Sequence, residues 1–203
     1  MPDGATEHEL KLLLRDEAQW EYVRRALGPP LRVLDQRNTY LDTPDGRLSR
    51  DRTCMVRVRE ESGRFWLQVK DRARRAGSTV TSRERSAALA PDAARDLLAG
   101  RVPLRDMAEP LCRAVAAEIG ADLRPAGRVE NHREVYVLPG GYQVELDRTR
   151  FPDGHVDCEI EIELGPNQTA AAARRALEAQ GVPAGLLRPS PTKYERFLAH
   201  RTG

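Results

Sequence analysis

Charged and apolar residues alternate through much of this 203-residue chain, and the charges on one side of the alternation repeat with the same sign. In residues 158–164, Glu159, Glu161 and Glu163 share one face of an extended strand, because side chains two residues apart point the same way. Cysteine, isoleucine and leucine occupy the other face. The pattern predicts strands whose two faces meet different surroundings.

The strand pattern recurs in eight segments, at residues 6–13, 32–42, 54–60, 64–70, 79–89, 128–138, 142–150 and 156–164. Several breaks between them contain turn-forming residues, such as Pro139-Gly140-Gly141 and Pro152-Asp153-Gly154. Short turns join antiparallel neighbours, and eight strands are enough to close a barrel and remove its exposed edges.

Helices are predicted in the gaps, at residues 16–27, 91–99, 106–119, 168–180 and from Pro191 to the tail. Asp16 is a good N-cap for the first of them, in which Trp20 belongs to the apolar face that packs on the core. Residues 71–79 are predicted to form an exposed basic loop. Antiparallel strands with helices predict an α+β protein, and the length suits a single domain over residues 1–203.

Two explanations of the charged faces remain open from the pattern alone. In the first, an open sheet packs its apolar face under helices and leaves its charged face in solvent. In the second, the charged faces are enclosed, because exposed strands usually keep like charges apart. The same-sign pairs Glu7/Glu9 and Arg57/Arg59 favour the second explanation. Carboxylates without nearby His or Cys suit Mg²⁺ or Mn²⁺, and arginine suits phosphate.

The net charge of the chain is too small to attract polyanions to its surface in general. The chain has 33 basic and 31 acidic residues, for a net charge of +2, so no nucleic acid polymer is expected as a partner. Cys54, Cys112 and Cys158 lack the spacing of a disulfide framework or a zinc site, which favours a cytoplasmic location. No segment is long and apolar enough to span a bilayer, so no membrane partner is expected. A monomer and a homodimer are both compatible with the sequence.

An ordered set of short motifs resembles the CYTH proteins, also called triphosphate tunnel metalloenzymes. The motifs are Glu7-x-Glu9-x-Lys11, Asn38 to Pro44, Arg57-x-Arg59, the strand ending in Lys70, Arg133, Leu146-Asp147-Arg148, Glu159-Ile160-Glu161 and Pro191-Thr192-Lys193-Tyr194. They extend over nearly the whole chain in the family's order. This family includes class IV adenylyl cyclases, thiamine triphosphatases and inorganic triphosphatases.

The resemblance implies an eight-stranded antiparallel barrel with a polar interior and helices packed outside. It implies that phosphate groups are bound by basic residues, namely Lys11, Arg57, Arg59, Lys70, Arg133 and Lys193. It implies that one or two divalent metal ions, Mg²⁺ or Mn²⁺, are bound by acidic residues, namely Glu7, Glu9, Asp147, Glu159 and Glu161. The residues placed closest to catalysis are Glu7, Glu9, Lys11 and Asp147.

Several positions have a second interpretation in the sequence. Arg133 lies in a strand whose faces are not cleanly sorted, so it could be an ordinary exposed arginine. Glu145 and Glu163 either bind with the other acids or only orient basic neighbours, while Glu84 is placed as a further family glutamate. Tyr40 either packs at the rim of the bore or ends a strand. His8 and His132 are expected on the surface.

The activity implied by the resemblance is metal-dependent hydrolysis of the terminal phosphate of inorganic triphosphate, thiamine triphosphate or a nucleotide. A class IV adenylyl cyclase and a non-catalytic module that binds polyphosphate or a nucleotide are the alternatives. Aromatic residues form only 5% of the chain, which argues against an aromatic-rich adenine pocket. Cys54 and Met55 stand where animal thiamine triphosphatases have a stacking tryptophan. A bore open at both ends is expected to favour a linear triphosphate.

Overall fold

The computed structural model describes residues 4–52 and 54–201. Its strands are β1 (Ala5–Leu14), β2 (Arg32–Asp42), β3 (Cys54–Glu61), β4 (Arg64–Ala76), β5 (Thr79–Leu89), β6 (Arg124–Leu138), β7 (Tyr142–Arg150), β8 (Val156–Glu163) and β9 (Arg188–Pro189). Its helices are α1 (Glu17–Leu27), α2 (Arg47–Asp51), α3 (Pro91–Leu98), α4 (Pro110–Ile119), α5 (Ala170–Ala179) and α6 (Lys193–His200). No helix within these ranges has the length and apolar character that crossing a bilayer requires.

The first eight strands form one closed antiparallel barrel. Their order is β5-β4-β3-β2-β6-β7-β8-β1, and pairing of β1 with β5 closes the ring, while the short β9 adds to β1. Glu7 lies opposite Ser82 on β5, and Lys11 lies opposite Glu161 on β8. The predicted α+β fold with an eight-stranded antiparallel barrel is therefore confirmed, and the open sheet is the wrong one of the two explanations.

Apolar side chains face outward from the barrel and are covered by helices. Helices α1 and α5 pack on the outer faces of β1, β7 and β8, where Trp20 is buried as predicted. Helices α3 and α4 pack on β3 and β4. Burial of these outer faces removes apolar surface from water and leaves the charged faces pointing into the bore.

The basic segment 71–79 is a hairpin extension, and its prediction as a loop is wrong. Strand β4 continues to Ala76 and pairs with β5 as far as Thr79, after an irregularity between Asp71 and Arg74. Its side chains are mostly exposed, as expected. The sequence favoured a loop because arginine-rich strands lack apolar alternation, whereas the backbone bonds depend only on the partner strand.

Two local elements differ from the helix predictions. The segment after β2 forms the short helix α2, because the Asp42 carboxylate accepts hydrogen bonds from the backbone N–H groups of Leu48 and Ser49 at 2.9 and 3.1 Å. Helix α4 begins at Pro110 rather than at 106, since a separate 3-10 turn occupies Leu104–Asp106.

Helix α6 covers part of one end of the bore. Phe197 stacks on Tyr40 with ring centroids 4.4 Å apart and packs with Val129, whose strand position faces the interior. The helix begins with a capping box in which Thr192 and Glu195 exchange hydrogen bonds. It therefore narrows an end of the bore that the sequence predicted to be open.

Gly127→Ala is expected to displace α6. A Cβ atom at Gly127 would lie 2.7 Å from Cε2 of Phe197, and the backbone φ is +154°. Overpacking and strain together should destabilise the protein by about 2–4 kcal/mol. Gly181→Ala, at φ +83° with no neighbour within 4 Å, is the matched control and should cost only about 1 kcal/mol. Urea unfolding of both variants measures the difference, and equal losses would contradict the proposed contact.

Candidate functional site

A cavity of about 350 Å³ lies in the bore, and charged side chains dominate its wall. Residues of the predicted site that line it are Glu7, Glu9, Lys11, Arg57, Arg59, Lys70, Arg133, Glu161 and Lys193. Asp147 and Glu159 lie behind this wall and are almost fully buried. The closed barrel therefore brings the predicted site residues together, in an enclosed space where electrostatic interactions are stronger than in water.

The strand Glu7-x-Glu9-x-Lys11 forms one side of the cavity. The Lys70 ammonium group lies 2.7 Å from Glu7, 2.8 Å from Glu9 and 3.0 Å from Glu84. Lys11 lies 2.6 Å from both Glu9 and Glu161. These contacts place Glu84 on the same wall as Glu7 and Glu9.

Glu7 and Glu9 have opposite electrostatic environments although they are two residues apart. Burial raises the pKa of Glu7 to about 7, and the charges of Glu84 and Glu9 add to this effect against Lys70. Burial also opposes ionisation of Glu9, but Lys11 and Lys70 together lower its pKa to about 2. Glu9 is thus a fixed anion, whereas Glu7 lacks enough positive charge around it.

Arg133 and Asp147 form a buried bidentate pair. Arg133 donates from Nε and Nη2 to the two Asp147 carboxylate oxygens at 2.7 and 2.6 Å, and from Nη2 to Glu161 at 2.8 Å. Glu145 also pairs with Arg133. Burial opposes the charge of Asp147, but Arg133 and Lys193 hold its pKa well below the usual range. Arg133 is therefore an interior residue and not an exposed arginine.

Helix α6 contributes two cations to the same acid cluster. Lys193 Nζ lies 2.7 Å from Asp147, 2.8 Å from Glu159 and 3.6 Å from Glu161. Arg196 also pairs with Glu159 and was missed in the sequence. The available signal was helical spacing, since residues three apart on a helix share a face.

The oxygen atoms of the buried acid cluster Asp147, Glu159 and Glu161 are of the kind that bind a hard divalent cation. One carboxylate oxygen from each of Asp147, Glu159 and Glu161 lies within 4.8 Å of the others. Carboxylates alone are the donor set that Mg²⁺ and Mn²⁺ favour. In this structure the Lys193 ammonium group contacts two of these acids and approaches the third, so a divalent ion at that position competes with Lys193.

Arg57 and Arg59 differ from the other basic residues of the bore. Arg57 donates from Nε to Gln68 at 2.9 Å, and Arg59 donates from Nε to Asn38 at 3.0 Å. Neither makes an ion pair with a carboxylate in residues 4–52 or 54–201. Burial, with the charges of Arg57 and Arg133, lowers the pKa of Arg59 to about 9. The two guanidinium groups thus make no direct ion pair within the described residues, although the charge of Glu84 acts on both from beyond ion-pair distance.

The remaining positions also have defined places. Tyr40 is 1% exposed and packs at the α6 end of the bore, while Glu163 lines the cavity and Glu145 orients Arg133. His8 is exposed. His132 is partly exposed on the outer face, where it bonds to Asp35.

The family of this closed barrel with a charged bore follows from comparison of the chain with known protein families and solved structures. The CYTH domain model matches residues 5–198. The chain belongs to the CYTH domain family, which confirms the resemblance seen in the sequence. No curated protein sequence matches the chain.

Solved structures share the fold at low sequence identity. A Hippeastrum protein, provisionally named an adenylyl cyclase and described with a dominant triphosphatase activity, is 23% identical with a TM-score of 0.84, over 97% of each chain. A Bacillus halodurans protein, provisionally named an adenylate cyclase, is 19% identical with a TM-score of 0.70, over 95% of this chain and 98% of that one. A Pyrococcus horikoshii protein is 16% identical with a TM-score of 0.58, over 95% and 99%.

Proposed function

We propose that this protein is a divalent-metal-dependent triphosphatase whose bore binds the phosphate chain of a small triphosphate. The observation that carries the proposal is the unpaired state of Arg57 and Arg59. Buried charges without partners are costly, so a site that retains two of them is built for an anion that arrives later. Guanidinium groups bind phosphate oxygens through paired hydrogen bonds.

The acidic residues of the bore are evidence for a metal ion next to the bound triphosphate. Glu7, Glu9 and Glu84 share the single Lys70 ammonium group, which supports a place for a further cation on this wall. A bound Mg²⁺ or Mn²⁺ ion supplies neutralisation of phosphate charge and lowers the pKa of a water molecule. Glu7, Glu9 and the cluster Asp147, Glu159 and Glu161 are the proposed metal ligands.

The acids and bases of the bore, which pair with each other in this structure, suit a ligand that carries both positive and negative charge. Without ligand, Lys11 and Lys70 bind carboxylates of the bore. A metal–triphosphate complex offers these lysines phosphate oxygens in exchange for the carboxylates. Lys11, Lys70, Arg133 and Lys193 then join Arg57 and Arg59 in stabilising charge on the phosphoryl group, and the enclosed bore aligns its phosphorus atom with water.

Adenylyl cyclase activity is the second candidate. Two relatives of the same fold are provisionally named as such cyclases, and Tyr194 lines the cavity, where it could contact a base. The Hippeastrum protein favours the first candidate, because its described activity is dominated by triphosphate hydrolysis.

The decisive experiment incubates the purified protein with tripolyphosphate, thiamine triphosphate or ATP, each with Mg²⁺ or Mn²⁺. Phosphate, pyrophosphate and cyclic AMP are then measured. Release of phosphate from tripolyphosphate that EDTA abolishes is expected. Cyclic AMP with pyrophosphate from ATP would instead establish a cyclase, and tight binding without product would establish a non-catalytic module.

Glu7→Gln is expected to lower kcat/KM for tripolyphosphate by at least about 100-fold, because glutamine cannot ionise to form the carboxylate that the proposed metal ion requires. Its fold should be retained, since Glu7 is only partly buried. Glu130→Gln on the exposed outer face makes the same chemical change away from the bore and is the control. Wild-type turnover by Glu7→Gln would exclude the proposed role.

A further inference from the structure

The cavity reaches the end of the barrel beside the β4–β5 hairpin. We call this end the hairpin mouth, defined by Arg52, Arg74, Arg75, Tyr194 and Glu195, all of which line the cavity. Arg75 lies five residues beyond Lys70 on the same strand and opposite Val80 on β5. The hairpin mouth therefore continues the basic wall of the bore outward, beyond the residues assigned to the triphosphate.

Positive charge exceeds negative charge at the hairpin mouth. Arg75 donates to Glu195 at 2.8 Å, and Glu195 also accepts from the backbone N–H and the hydroxyl of Thr192 at 2.7 and 2.8 Å. Arg52 contributes to lowering the pKa of Glu195, which places its charge in the same mouth. Within the described residues, Arg52 and Arg74 form no ion pair. One carboxylate thus faces three guanidinium groups.

The acids at the opposite end of the cavity are paired with cations. Glu7 and Glu84 contact Lys70, and Glu145 pairs with Arg133. These acids therefore give no excess of negative charge, whereas the hairpin mouth has an excess of positive charge. The part of an anionic chain that extends out of the bore is favoured at the hairpin mouth.

We infer that the hairpin mouth is a subsite for an anionic group attached to the bound triphosphate. This inference rests on the proposed function and extends its substrate class from tripolyphosphate to inorganic chains of four or more phosphates. A fourth phosphate meets Arg52 and Arg75 at this place. A nucleoside brings no charge to it, and the thiazolium ring of thiamine triphosphate brings a positive one.

The test compares tetrapolyphosphate, tripolyphosphate and ATP at matched free Mg²⁺, through both kcat/KM and the dissociation constant. Tetrapolyphosphate is expected to bind more tightly than tripolyphosphate, and ATP more weakly. Arg52→Gln should weaken tetrapolyphosphate binding about fivefold more than tripolyphosphate binding, the ratio that one partly exposed ion pair of about 1 kcal/mol gives.

Arg72→Gln is the matched control, because Arg72 is exposed on the same hairpin and does not line the cavity. It should leave the ratio of the two affinities unchanged. An equal loss for both chains in Arg52→Gln, or tighter binding of ATP than of tetrapolyphosphate, would overturn the subsite. Absence of hydrolysis would overturn the proposed function alone, since the affinities still test the subsite.

Discussion

Replacing Arg59 by methionine is expected to stabilise the ligand-free protein by about 1–2 kcal/mol and to lower kcat/KM for tripolyphosphate by at least about 100-fold. Arg59 is held by one hydrogen bond to Asn38 and has no carboxylate partner among the described residues. Methionine keeps much of the side-chain volume and removes the unpaired charge. Stability and activity should therefore change in opposite directions, as they do where a site stores a destabilising charge for its ligand.

The stability gain has a defined dependence on pH. The pKa of Arg59 is lowered to about 9 in the folded protein, so its charge costs stability at all pH values below that pKa. The cost declines as the pH rises above about 9, because the folded protein then releases the proton before the unfolded chain does. The difference in unfolding free energy between Arg59→Met and the wild type should thus be full at neutral pH and smaller above pH 9.

Arg133→Met is the control for this prediction, because Arg133 faces the same bore but is fully paired. Its loss leaves Asp147, Glu145 and Glu161 with unneutralised charge and should cost about 3–5 kcal/mol. Denaturant unfolding of both variants at neutral pH separates the cases. If Arg59→Met lost stability as Arg133→Met does, Arg59 would be a structural ion-pair residue instead of an anion ligand.

Lys193→Met is expected to destabilise the metal-free protein by about 3 kcal/mol, which lowers Tm by about 6–12 °C for a chain of this size. Lys193 contacts Asp147 and Glu159, both almost fully buried, and removing its charge leaves them short of one cation. Millimolar Mg²⁺ or Mn²⁺ should restore much of the loss, because a divalent ion that binds only the folded state stabilises it by mass action.

The wild-type protein should show a smaller Mg²⁺-dependent rise in Tm, since its Lys193 competes for the same carboxylates. Lys193→Arg keeps the charge and should stay close to wild type in the absence of metal. KCl at matched ionic strength controls for screening and should not rescue Lys193→Met. Equal Mg²⁺ responses in wild type and Lys193→Met would show that the Asp147, Glu159 and Glu161 cluster is not where the ion binds.

The alternation of charged and apolar residues predicted most of the strands of the fold. Strands β2, β5 and β7 have the predicted bounds, and Asp16 caps α1 through the backbone N–H of Gln19 at 2.8 Å. Both signals are local: a strand with two unlike faces needs residues two apart to match, and a cap needs one side chain at one position. The hairpin at 71–79 was missed because its stability comes from the partner strand.

The sequence also determined which residue types form the candidate site. Glu7, Glu9 and Lys11 share one face of β1 because side chains two residues apart point the same way, and in the closed barrel this face lines the bore. The family motifs added Arg133 and Lys193, whose own surroundings in the sequence gave no clear face. Spacing alone already separated the acids and the bases into sets suited to metal and to phosphate.

Only the tertiary structure decided which charges are neutralised. Closure of β1 on β5 turned the charged faces inward, and it brought Lys70 to Glu7 from 63 residues away. Pairing of β6 with β7 set Arg133 opposite Asp147, and packing of α6 brought Arg196 to Glu159, whereas Arg57 and Arg59 were left without an ion pair among the described residues. Ion pairs depend on distances of a few ångströms between elements that are separate in sequence. The pattern of one strand therefore shows which of its residues are charged but not which residues neutralise them.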